Sequence, residues 1–189
     1  MAGMTKEAAI AEYVIDAGMS RFTVRAFAGG LLAGLGHNPV VGIRDFTGEA
    51  QWDPEAPEKA SVRLKIRTAS IAVQNDISDK DRREMERVMR EEILETEKYP
   101  EITFESTAVS VGANNRVAID GNLTLHGVTR RERLTAQFAI TGDMLRAFGD
   151  FSIQQTDYRV KLASVAGGAL KLKDEMKANF DILGRRRTE

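Results

Sequence analysis

The sequence predicts an all-β protein: a single antiparallel up-and-down barrel of eight strands, with one amphipathic helix over about 78–94 at an end. Three observations carry that prediction. The chain has 189 residues, enough for one domain that encloses a core or a cavity. Segment after segment alternates apolar residues with charged or hydroxylated ones, the period-two signature of a strand with one buried face. One stretch alone breaks the pattern with apolar residues at helical spacing. Strands in series with a single dominant helix argue for a closed barrel. Alternation by itself also permits a two-sheet sandwich.

The barrel domain is expected over 13–184, after an extension at 1–12 and before a basic, solvated tail at 185–189 that holds Arg185, Arg186 and Arg187. Tyr13-Val14-Ile15-Asp16 opens the fold as a short strand. Between Ser20 and Ala28, Phe22, Val24 and Ala26 share one face and Arg21, Thr23 and Arg25 the other. The segment 29–39, with four glycines and a proline, is a loop or a short helical turn at a barrel end. Its leucines plug the barrel or form an apolar lip. Strand character resumes from Val40 to Trp52, with Phe46, Gly48, Ala50 and Trp52 on one face and a bulge near Ile43-Arg44. Asp53-Pro54 turns the chain. Val62, Leu64 and Ile66 then face one way, and Arg63, Lys65 and Arg67 the other.

Helical spacing begins at Ser78, which forms a capping box with Asp81. Met85, Val88, Met89 and Ile93 make a narrow apolar stripe, and Arg82–Glu86 and Glu86–Arg90 are spaced for ion pairs. Such a helix lies across a barrel mouth, as a fixed cover or a lid. After Tyr99-Pro100 the strands return. Their inward faces carry Ile102, Phe104, Ser106 and Ala108; then Val117, Ile119, Gly121, Leu123 and Leu125; then Leu134, Ala136, Phe138 and Ile140. Gly149, Phe151 and Ile153 come next, and last Leu170, Leu172, Met176, Ala178, Phe180 and Ile182.

Composition excludes several classes of function. The net charge is −1, so no basic field supports nucleic-acid binding. There is no cysteine, hence no disulfide, thiolate nucleophile or Cys-ligated zinc. No apolar run is long enough for a transmembrane helix. Residues 1–12 lack a basic stretch followed by an apolar one, which reads as cytoplasmic; a periplasmic chain already relieved of its signal would read the same. Catalytic signatures built on Gly-x-Ser-x-Gly, a phosphate loop or His-Glu-x-x-His are missing.

The motifs in order resemble the YceI-like family of polyisoprenoid-binding proteins. Tyr13-Val14-Ile15-Asp16 with Ser20-Arg21-Phe22 resembles its opening strand pair, and Phe46-Thr47-Gly48 its F-x-G strand. Thr68-Ala69-Ser70-Ile71 resembles the strand end before its helical region. Tyr99-Pro100-Glu101-Ile102-Thr103-Phe104-Glu105-Ser106 is similar to its YP-x-I-T-F-x-S signature, and Gly121-Asn122-Leu123-Thr124-Leu125-His126-Gly127-Val128-Thr129 to its closing hairpin. Two segments depart from the pattern. Asp81-Arg82-Arg83-Glu84-Met85 has no histidine where the family carries RD-x-HL, and Gln155-Thr156-Asp157-Tyr158-Arg159 lacks the glycine of its late segment. The resemblance implies a lipocalin-like barrel that holds a long isoprenoid chain in its lumen.

The inward set is almost wholly apolar, which points to a greasy ligand more than to a reaction. Parity places Phe22, Val24, Phe46, Trp52, Leu64, Ile66, Phe104, Leu123, Leu125, Phe138, Ile140, Phe151 and Phe180 at the lumen, with His37 and Arg44 as head-group candidates at the mouth. The expectation is a non-catalytic protein that binds, sequesters or transports a polyisoprenoid, a quinone or a fatty-acid derivative. No cofactor is expected beyond that bound lipid, and homodimerisation through an outer strand face is possible. Two alternatives stand beside it. One is an enzyme acting on a lipid through His37 or His126, with Asp45 or Asp120 completing a metal site or acid–base pair. The other is a solidly packed structural barrel. Parity sends His126 outward.

Overall fold

Eight strands close on themselves with no open edge around the lower half of the molecule. The computed structural model describes residues 10–29, 38–165 and 170–188. Among them run twelve strands: β1 (Ala11–Ile15), β2 (Arg21–Gly29), β3 (Val40–Ile43), β4 (Phe46–Trp52), β5 (Ser61–Arg67), β6 (Ala72–Val73), β7 (Glu101–Val111), β8 (Arg116–Leu125), β9 (Val128–Thr141), β10 (Met144–Gln154), β11 (Ser164–Val165) and β12 (Leu170–Arg186). All pairings are antiparallel. The ring reads β1-β4-β5-β7-β8-β9-β10-β12, and β12 returns to β1 through Tyr13↔Arg186, Val14↔Arg185 and Ile15↔Gly184. The closed barrel rules out the sandwich.

Of the other four strands, β11 pairs with β12 through Ser164↔Lys171 and Val165↔Leu170, and three lengthen staves of the ring. β2 continues β1 along β12, β3 continues β4, and β6 continues β5. Each break has a local cause. Between β1 and β2 the chain leaves the ladder at Asp16, and Ser20 restores it: the Leu183 N–H donates to Ser20 Oγ at 2.9 Å. Arg44 and Asp45 form the expected break between β3 and β4. A turn at Thr68–Ser70 splits what the sequence reads as one strand from Ser61 to Val73.

Parity holds along most of the barrel and fails in one place. In β7 the register shifts between Ser106 and Ala108, so the inward face passes to Val109. Val109 is buried and Ala108 is exposed, contrary to unbroken alternation. A bulge adds one residue to one strand and reverses the facing of everything beyond it. The three terminal arginines also differ from the expected free tail. Arg185 and Arg186 are ladder residues of β12, and Arg187 pairs with Glu12 at 2.7 Å and Glu49 at 3.2 Å.

The helix α1 (Asp79–Val88) continues as a wider π-turn over Met89–Ile93, so helical structure covers the span expected from spacing. Half of the capping box forms: the Asp81 N–H donates to Ser78 Oγ at 3.1 Å, while the Asp81 carboxylate accepts the Ser78 hydroxyl at 2.7 Å rather than the Ser78 backbone N–H. Glu86 bonds Arg90 at 3.2 Å as its spacing predicts. Arg82 does not pair with Glu86. Both side chains reach the backbone edge of β6 instead: Arg82 donates to the Val73 carbonyl at 2.7 Å and the Asn75 carbonyl at 3.0 Å, and Glu86 accepts the Val73 N–H at 3.0 Å. A short edge strand would otherwise present unpaired groups. Ser78→Ala is expected to destabilise the protein by about 1 kcal/mol in urea unfolding, with the barrel intact, because an orphan helix N–H loses its acceptor.

Candidate functional site

The interior of the barrel is hollow. A lower chamber of about 180 Å³ lies within the closed ring, and an upper chamber of about 590 Å³ lies beneath α1. The upper volume is that of a small-molecule pocket. The chambers share five lining residues from five strands: Phe22, Ile66, Ile102, Leu123 and Phe151. These form a waist between the two chambers. Phe22 and Phe151 both pack against Phe180, at 6.4 and 6.3 Å between ring centroids.

Of the thirteen residues placed at the lumen by parity, eleven line it. Val24 and Leu125 face the upper chamber, and Trp52, Leu64, Phe104, Phe138 and Phe180 the lower, beside the four of them at the waist. Two do not. Phe46 is buried behind Phe22, edge to face at 6.2 Å, and so fills wall rather than lines space. Ile140 packs into a floor made by Ala11, Tyr13 and Leu145. Trp52 and Phe138, 5.0 Å apart, stand just above that floor.

Polarity is confined to the two ends. Among the lower chamber's residues only Gln51 and Ser61 carry polar side chains. The upper chamber adds Asn75, Glu84, Gln155, Ser164 and Lys171, with the stripe Met85, Val88, Met89 and Ile93 facing it from the helix. Arg44 is exposed and lines neither chamber, so the head-group role expected of it has no geometry behind it. His37 and the leucines of 30–37 lie outside the described residues.

His126 is not on the surface, as parity has it, nor in the lumen. With Gly127 it forms a two-residue turn between β8 and β9, with φ of +51° and +72°, the type I′ geometry that suits a twisted hairpin. Its Nε2 lies 2.8 Å from the Glu95 carboxylate, and the Tyr99 ring covers it at 4.2 Å. A Cβ on Gly127 would stand 2.6 Å from Tyr99, so only glycine fits under that ring. Thr68 donates to the Tyr99 carbonyl at 2.8 Å. Three motifs distant in sequence therefore meet at Tyr99, where they tie the chain leaving the helix to the barrel rim. Asp45 pairs with Arg67 and Asp120 with Arg133, each on its own strand neighbour. Among the described residues no three His, Asp or Glu side chains gather to hold a metal.

Sequence reasoning missed Tyr158. Its side chain is fully buried against Phe104, Leu123 and Leu125, and its hydroxyl donates to Glu132 Oε1 at 2.5 Å. Burial, then the neighbouring carboxylate, pushes the phenol above its usual range, so it remains a donor. One signal was present in the sequence: Glu132 stands on the inward parity of β9 with Leu134 and Ala136, where a charge needs a partner.

Comparison with known proteins agrees with this geometry. Residues 13–183 match the YceI-like domain. The chain belongs to the YceI-like family. It is 32% identical over 133 residues to a UPF0312 protein of Pseudomonas putida strain W619, a stretch covering 70% of this chain and 64% of that protein's length. The barrel superposes on Burkholderia cenocepacia BcnA with a TM-score of 0.71 at 19% identity, covering 89% of this chain and 98% of that one. It also superposes on a polyisoprenoid binding domain from Saccharophagus degradans implicated in plant cell wall breakdown, with a TM-score of 0.64 at 16% identity, covering 93% and 98%. Both likenesses are of fold. The lumen, waist and helix-covered mouth described above are this YceI-like chain's own.

Proposed function

We propose that this protein holds a long-chain polyisoprenoid, or a quinone or fatty-acid derivative of similar shape, in its lumen, and carries or sequesters it without catalysing a reaction on it. The observation that carries this reading is the apolar interior, two chambers that meet at a waist of shared residues. Each methylene removed from water contributes about 0.8 kcal/mol. A chain of some tens of carbons therefore has a gross term beyond the ceiling near about −20 kcal/mol that ordering costs impose. Apolar walls suffice for tight binding, and no reactive group is needed. Membership of the YceI-like family and the fold shared with a polyisoprenoid binding domain support the ligand class.

The distribution of polar side chains orients the ligand. The tail reaches down past the waist toward Trp52, and the head group stays under α1 near Gln155 and Lys171. Trp52 is the only tryptophan, so its fluorescence reports on the lower chamber alone. Stearic acid carrying a nitroxide near its methyl end is expected to quench Trp52 several-fold more than the isomer labelled near its carboxylate. Equal or reversed quenching would refute the orientation. A purified protein that shows neither quenching nor a co-purified mass of several hundred daltons in native mass spectrometry would refute the lumen reading itself.

A further inference from the structure

The wall of the barrel is not bonded all the way up. β9 and β10 pair from Met144↔Thr141 to Asp150↔Thr135 and then part. Above that point β9 stays on β8 as far as Leu125↔Val128, and β10 stays on β12 as far as Gln154↔Glu175. Among the described residues, 128–134 of β9 thus have no strand partner on the side away from β8, and the opening is filled by the segment 155–160.

That segment continues from β10, which is laddered to β12, and on its free side it meets β9. On the β12 side Gln155 donates to the Lys173 carbonyl at 2.9 Å, and Thr156 gives both its N–H, at 2.8 Å, and its hydroxyl, at 2.5 Å, to Asp174. Among the described residues, no backbone-to-backbone hydrogen bond ties 155–160 to β12 or to β9. On the β9 side Glu132 accepts the Tyr158 hydroxyl, and Arg130 pairs with the Asp157 carboxylate at 3.2 Å and donates to the Asp157 carbonyl at 3.4 Å. Arg130 and Glu132 stand on the inward register of β9, opposite Leu123 and Gly121. A permanently sealed wall has no use for charges at those positions. Behind the segment lie Leu123 and Leu125, which line the chambers, so the gap leads directly to the lumen.

We propose that lipid enters and leaves sideways, through the seam between β9 and the segment 155–160, with β12 as the hinge side and Tyr158–Glu132 and Arg130–Asp157 as the latch. This rests on the lumen reading above. Among the described residues, the competing route, under the helix, is crossed by ties of its own. α1 is bonded to the backbone of β6 through Arg82 and Glu86, and the chain leaving it is tied by Glu95 to His126 and by Tyr99 over Gly127. A seam with no backbone-to-backbone bond across it opens without breaking a strand ladder, on the timescale of loop motion.

The absence of native cysteine makes the test clean. Arg130→Cys with Asp157→Cys, joined by a short bis-maleimide, locks the seam; Glu95→Cys with His126→Cys, joined the same way, locks the helix. The rate of Trp52 quenching by the methyl-end nitroxide stearate reads exchange. The seam lock is expected to slow loading, and release of probe loaded before cross-linking, by about tenfold or more. The helix lock is expected to leave both rates at the parent value. Tyr158→Phe, which keeps the buried ring and removes the latch hydroxyl, is expected to speed exchange with the same final quenching. A seam-locked protein that exchanges at the parent rate, a helix lock that slows exchange as much or more, or a seam lock that expels probe already loaded would each overturn the lateral route. Failure of the unmodified protein to bind the probe would instead strike the lumen reading.

Discussion

A Phe138→Asp protein is expected to keep its barrel and lose its lipid. Phe138 is only half-buried by protein, because one side of its ring faces the lower chamber beside Trp52. Its backbone lies in an unbroken ladder, paired to Ala147 on one side. The substitution therefore leaves the strand intact and puts a carboxylate where the tail of the ligand must lie. Among the residues of that chamber only Gln51 and Ser61 carry polar side chains, so the new group keeps water beside it or stays neutral. Displacing that water with hydrocarbon costs a few kcal/mol, a loss of roughly 100-fold in affinity. Native mass spectrometry reads the bound mass and circular dichroism the strands. Phe138→Leu, apolar and smaller, is expected to retain the lipid. If the aspartate variant still carries the same mass, Phe138 is not in the ligand's path.

Gly121→Ala is expected to destabilise the protein by about 1–3 kcal/mol and to narrow the lumen at the same time. The Phe104 ring reaches over Gly121. A Cβ there would stand 2.4 Å from the Phe104 Cζ and 2.6 Å from the Glu105 carbonyl oxygen. The ring can yield only by swinging toward the chamber axis, while the backbone carbonyl can yield only by straining the β7–β8 ladder. The glycine is what lets a large aromatic ring lie against the wall and leave the axis open. Chemical denaturation measures the first effect, and the length of the longest chain retained from a mixture of fatty acids measures the second. Phe104→Leu in the same background is expected to restore part of both, since the two side chains compete for one space. Additive losses in the double variant would refute the coupling.

Much of the lumen was legible before any coordinates, and the reason is geometric. In a closed barrel each inward position sees the interior whatever the strand's neighbours are, so period-two alternation suffices to place Phe22, Leu64, Phe104, Leu123 and Phe151. The failures share a cause. Phe46 and Ile140 obey the alternation, yet one is buried behind Phe22 and the other packs into the floor. Facing inward does not say whether space remains in front of a side chain. Ala108 and Val109 exchange roles because a bulge is invisible to a fixed period. His126 departs from its parity because a turn residue with positive φ belongs to neither face of the strand. Arg185 and Arg186, read as a tail, are ladder residues because β1 gives them backbone partners from the other end of the chain.

The Leu-Thr-Leu-His-Gly-Val-Thr hairpin and the Tyr-Pro strand show where local information ends. Order and spacing of such motifs carried the resemblance to the family, and alternation gave the strands and their greasy inner face, since alternation follows from which residues avoid water. That Tyr99 covers Gly127, that Glu95 meets His126, and that β9 and β10 part above Asp150 so that Tyr158 must close the gap are decided only by long-range packing. Burial preference is a property each residue carries along the chain. Partnership, and with it the place where the wall can open, exists only between residues that folding brings together.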